Sequence, residues 1–187
     1  AWHDVRLQEV RTGLLSQVRE RCFAVVWIGL PCASGTVHWT GSRKRPRSRE
    51  QPDRVPNLPA WLDRYVDLHN LFLAFTEELA LAAFSAGATF IVENPPDYGD
   101  ESSPYFRWNA RSHCPLWLTS WMVRLQQQTA ALTVTGCQCM LGGVFKKPTS
   151  LMAAGPRAHR LQPFERLECT HVSHARVAAG WKADGSA

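Results

Sequence analysis

The stretch Cys22-Phe23-Ala24-Val25-Val26-Trp27-Ile28-Gly29-Leu30, which stops at Pro31-Cys32, decides the fold class. It is a short, continuous apolar run rich in β-branched and aromatic residues. Continuous rather than alternating apolarity predicts a strand covered on both faces, as in a parallel sheet. On its N-terminal side, residues 4–21 set Val5, Gln8, Thr12, Leu15 and Val18 at helical spacing, with arginines in the last turn. On its C-terminal side, residues 33–59 carry Gly35, Gly41, Pro46, Pro52, Pro56 and Pro59 together with Arg43, Lys44, Arg45, Arg47 and Arg49. That composition predicts a long, basic, Pro-broken loop. Loops of this length in a compact domain are usually functional or disordered.

Further along, residues 60–86 read as a helix. Trp61, Tyr65, Leu68, Phe72, Phe75, Leu79 and Ala82 step by threes and fours along one expected core face, with His69 beside it. Pro59 suits the first turn and Gly87 the stop. Thr89-Phe90-Ile91-Val92 is a second buried-strand pattern and runs into Glu93-Asn94-Pro95-Pro96. Residues 115–129 predict another helix, residues 132–135 a third strand, Gly142-Gly143 a turn and residues 150–154 a last strand. The order strand–helix–strand–helix–strand predicts an α/β fold: an open, mostly parallel sheet with helices on both faces. Ligands of such sheets bind at the carboxyl ends of the strands, where Pro31-Cys32 and Glu93-Asn94 both fall. Residues 1–155 are expected to form this domain, with 33–59 as its basic loop, and residues 156–187 a tail of uncertain structure.

At 45% hydrophobic residues the chain is not a disordered one, and most of its eight Trp are expected to be buried or half-buried. The net charge of +5 is compatible with a polyanionic partner. No apolar run reaches the roughly 20 residues that cross a bilayer, so no membrane partner is expected. The first residues lack a basic segment followed by an apolar run, which argues against a secretory signal, and a start at Ala1 suggests a processed chain or a fragment. Six irregularly spaced cysteines predict reduced thiols and an intracellular protein, and the cluster from Arg43 to Arg49 suggests the nucleus. Cys169, His171 and His174 are metal-ligating types, but a structural zinc site needs four ligands and no fourth stands out, so no metal site is assigned. Cys137 and Cys139 read as two buried thiols.

Trp27-Ile28-Gly29-Leu30-Pro31-Cys32-Ala33-Ser34 resembles the Pro-Cys nucleophile motif of cytosine-5 DNA methyltransferases. Phe90-Ile91-Val92-Glu93-Asn94-Pro95 resembles their Glu-Asn-Val motif, and Cys139-x-x-Gly142 with Lys147-Pro148-Thr149 looks like a segment of methyltransferase-like proteins of retroelement and protist type. The resemblance spans roughly residues 5–155 and rests on the order of these motifs. It implies a Rossmann-like, S-adenosylmethionine-dependent methyltransferase fold. It also implies Cys32 as the nucleophile adding to ring carbon 6 of cytosine, and a protonated Glu93 at ring nitrogen 3. Pro31, Ser34, Asn94, Pro95, Arg43 and Arg45 would then serve substrate binding, on DNA rather than RNA, with the target base taken out of its stack.

The family's Gly-rich strand-to-helix turn for S-adenosylmethionine and the acidic residue for its ribose are absent, which implies an incomplete fold lacking the cofactor half. Pro95 replaces the motif's Val, the family's Gln-x-Arg-x-Arg pattern is not visible, and the chain after residue 155 is short for a target-recognition domain. Two alternatives stand beside this reading. One is a non-catalytic, mobile-element-derived remnant that binds nucleic acid through the basic loop. The other is an amino-group methyltransferase using Asn94-Pro95-Pro96, although Asp97 occupies that motif's aromatic position and Cys32 would be idle.

Overall fold

The structure is a computed structural model, and it describes residues 4–36, 39, 45–144, 146–171 and 174. Helix α1 (Gln8–Arg19) leads into strand β1 (Val25–Gly29), and the long helix α2 (Ala60–Ser85) follows the 33–59 segment. Strand β2 (Thr89–Asn94), helix α3 (Ser120–Thr129) and strands β3 (Leu132–Cys137) and β4 (Pro148–Ala154) complete the regular elements. Gly87, at φ +80°, ends α2 in the left-handed conformation that glycine adopts without steric cost. None of the described helices is long and apolar enough to cross a membrane.

The strands form one open sheet in the order β1-β2-β4-β3. β1 and β2 are parallel, with Val25 opposite Thr89 and Gly29 opposite Glu93. β4 runs antiparallel to both β2 and β3. The α/β class holds, but the sheet is mixed rather than mostly parallel. β3 and β4 are separated only by the 3-10 segment Gln138–Leu141 and a few further residues. A parallel return needs a crossover of a dozen or more residues, so this connection permits only antiparallel pairing.

The helices do not cover both faces. Phe90, Val92, Met152 and Ala154 share one core with Val18 of α1, Leu73, Ala80 and Ala83 of α2, and Met122 and Leu125 of α3. Ile91, Val134, Leu151 and Ala153 form a second core, closed by Ala158 and Phe164 of the 3-10 segment Ala158–Arg166. That cover belongs to β2, β4 and β3. On β1 only Val26 and Ile28 pack inward, while Val25 and Trp27 are 42% and 58% exposed. The continuous apolar run therefore builds an edge strand with one open face, not a strand covered on both. Trp61 and Trp108 are exposed as well, against the expectation for the tryptophans.

The buried stripe of α2 is offset from the expected one. Leu62, Val66, His69, Leu73, Thr76, Ala80 and Ala83 face inward, and of the predicted stripe only Phe75 is fully buried. Apolar residues surround much of this helix, so spacing alone admits both stripes. The smaller residues allow closer approach to the sheet, and the large aromatics flank them.

Candidate functional site

Adjacent parallel strands end together, and here the two ends are tied to each other through one peptide. The Leu30 N–H donates to the Glu93 carbonyl at 3.3 Å. The Leu30 carbonyl accepts the Asn94 side-chain N–H at 2.6 Å. Asn94 is 2% exposed, so its amide serves as a clamp between the Pro31-Cys32 turn and the Glu93-Asn94 turn. Pro95 is held on the other side, where its carbonyl accepts the Trp117 indole N–H at 2.7 Å. The Cys32 carbonyl accepts the Gly35 N–H at 2.7 Å, which starts the turn Ala33–Gly35. Pro31 is exposed and Cys32 half-buried.

Glu93 reaches out of the sheet end beside β4. Its Oε1 lies 3.1 Å from the Lys147 ammonium and 3.5 Å from the Gln138 side-chain amide. The free site thus holds a half-buried ion pair rather than a lone acid. Two tyrosines belong to the same neighbourhood. Burial, and then the Cys32 sulfur, push the Tyr65 phenol up. Burial pushes the Tyr98 phenol up too, against the guanidinium of Arg107 stacked 4.1 Å from its ring.

Two arginines of the basic segment, Arg47 and Arg49, are turned inward. Arg47 is 2% exposed and donates to Ser34 Oγ at 2.9 Å, to the carbonyls of Pro52 and Asp53 at 2.8 and 2.6 Å, and to Asn70 Oδ1 at 2.6 Å. Burial lowers its guanidinium to about 10. Ser34 is accordingly buried and committed to Arg47. Arg49 pairs with Asp97 at 2.8 Å and donates to the His113 carbonyl at 3.0 Å. Burial raises the Asp97 carboxyl, but His113, the Gly99 N–H and Arg49 outweigh it and hold it below its usual value. His113 Nδ1 lies 3.2 Å from the Tyr98 amide nitrogen and 3.6 Å from Asp97 Oδ1, and its Nε2 faces the Gly35 carbonyl at 2.9 Å. Arg45 is half-buried, and Arg43 lies outside the described residues.

Reading the sequence pairs Cys32 with Glu93 and Asn94, and the structure brings those two turns together. It does not single out Arg47, His113, Tyr65 or Gln138. An arginine that locks a loop looks the same in sequence as an arginine that solvates it. Lys147 is visible only as part of a tripeptide. Cys114, by contrast, is an inert thiol: it donates to the Ser48 carbonyl at 3.1 Å, and burial pushes it up to about 11. Cys137 and Cys139 are both buried, as expected.

No family model matches this chain, and neither a curated protein nor a solved structure matches it.

Proposed function

We propose that the chain is a DNA cytosine-5 methyltransferase-like protein in which Cys32 attacks ring carbon 6 of cytosine and Glu93 engages ring nitrogen 3. The supporting observation is the Leu30 peptide, which Glu93 and Asn94 bind from both sides so that the two turns form one rim. A thiolate and a carboxyl acting on one small ring must stand on neighbouring turns. A base entering beside Glu93 desolvates its pair with Lys147. The Lys147 ammonium, 3.1 Å from Glu93 Oε1, stands beside that carboxyl. Arg47 positions the Cys32 turn through Ser34.

When bound, S-adenosylmethionine supplies the methyl group. The Gly-rich turn and the acidic residue that hold it in the family are absent from this sequence, so the residues present do not fit it. The amino-group alternative leaves Cys32 without a role and has Asp97 at its motif's aromatic position. Binding to phosphates through the basic segment is limited by Arg47 and Arg49 being committed internally.

The test needs no methyl donor. Addition of Cys32 to carbon 6 lets carbon 5 take a solvent proton, and reversal returns cytosine with its carbon-5 hydrogen exchanged. Single-stranded DNA labelled with tritium at cytosine carbon 5 should release label to water with the parent chain and not with Cys32→Ala. Equal release by both, or none by the parent, would refute the assignment.

A further inference from the structure

The polar side chains of Cys139, Cys169, His171 and His174 converge just past the end of β3, and their sulfur and ring-nitrogen atoms all lie within 4.8 Å of one another. Cys169 Sγ is 3.6 Å from His171 Nδ1 and 3.2 Å from His174 Nε2. Bonds of about 2.3 Å to sulfur and about 2.0 Å to nitrogen give a tetrahedron whose edges are about 3.3–3.8 Å. The two Cys169 spacings match those edges, and the remaining separations, none beyond 4.8 Å, need to close by no more than about 1 Å. They match hydrogen bonds less well, because a thiol is a weak donor and one sulfur faces two imidazoles.

The fourth donor is the one that sequence spacing hides. Cys169, His171 and His174 come from one short run, whereas Cys139 comes from the 3-10 segment Gln138–Leu141. Two contacts that need no ion bring the segments together: the Cys137 N–H donates to the Leu167 carbonyl at 2.7 Å, and the Thr170 hydroxyl faces Met140 Sδ at 4.0 Å. Cys139 is 4% exposed and points inward, while His171 closes the cluster from the solvent side.

We propose that Cys139, Cys169, His171 and His174 bind one zinc ion as a closed, four-coordinate structural site. Four protein ligands leave no open position for a substrate, so the ion staples Cys169, His171 and His174 to the end of β3. Gln138, next to Cys139, is the residue whose amide lies 3.5 Å from Glu93. The zinc site therefore braces one side of the candidate cleft, although its existence does not depend on any activity there.

The whole chain, produced with zinc and desalted, should carry one zinc by elemental mass analysis. Its cobalt-substituted form should show the intense ligand-field bands of a tetrahedral ion and sulfur-to-cobalt charge transfer. His171→Gln changes an exposed residue and should lose the zinc with the fold intact by circular dichroism. Cys139→Ser should lose it too, and Cys22→Ser should keep it. The proposal is overturned by a parent chain without zinc, by an octahedral cobalt spectrum, or by zinc kept in either His171→Gln or Cys139→Ser. A Cys139–Cys169 disulfide in the freshly purified protein, seen by intact mass, would also overturn it.

Discussion

His69 sits in the buried face of α2, its ring 4.5 Å from that of Tyr65 and 5.9 Å from that of Phe72. Burial, and then the charge of Arg47, lower it to about 4. In the unfolded chain a histidine titrates near about 6.5. Below that pH the unfolded state gains a proton that the folded state refuses until near 4, so stability falls as pH falls through this window and is complete above it. The urea midpoint should drop between those limits, and His69→Gln should flatten that part of the profile. An unchanged slope in the variant would remove His69 as its source. At this scale the sequence is least informative. His69 and Arg47 are buried polar groups whose partners, Tyr65 and Asn70 on α2 and Ser34 across the loop, exist only once the chain has folded.

Among the elements, the most constrained approach is that of the 3-10 segment Ala158–Arg166 to β3. A Cβ added at Gly136 would lie 2.3 Å from the Phe164 carbonyl oxygen, a backbone atom that cannot swing away. Gly136→Ala should therefore lift this segment off the second core, with a loss of about 1–3 kcal/mol, the usual cost of forcing extra volume into a packed site. Urea unfolding should report that loss, and trypsin should cut sooner at Arg160 or Arg166. A stable, protease-resistant variant would mean that the segment does not pack on β3. Strand and helix positions were legible from periodicity, because β2 and α2 carry long apolar patterns bounded by Pro59, Gly87 and Pro95. Strand direction was not, since β4 returns antiparallel through a short connection whose turn residues, Gly142 and Gly143, mark a reversal without naming its partner. Nor was the cover over β3, which an irregular 3-10 segment supplies.

Across the whole molecule, two kinds of order meet at the carboxyl ends of β1 and β2. The sheet brings the Cys32 and Glu93 turns side by side, and the loop network of Arg47, Arg49, Asp97 and His113 fixes the flanks. The turns that carry Cys32 and Glu93 were legible as strand ends because both follow short apolar runs. Lys147 and Gln138 arrive from the other half of the sheet, so no local pattern announces them. β1 is the edge strand of this sheet, and its Val25 and Trp27 are exposed on one face. The central claim is that Cys32 adds to cytosine. Its most direct test is to incubate the chain with single-stranded DNA containing 5-azacytosine, whose ring nitrogen makes carbon 6 more electrophilic, and to analyse the denatured product by peptide mass mapping. The account predicts one covalent adduct, mapped to Cys32 and lost in Cys32→Ala. An adduct on Cys22 or Cys114 that persists in Cys32→Ala, or no adduct at all, would contradict it.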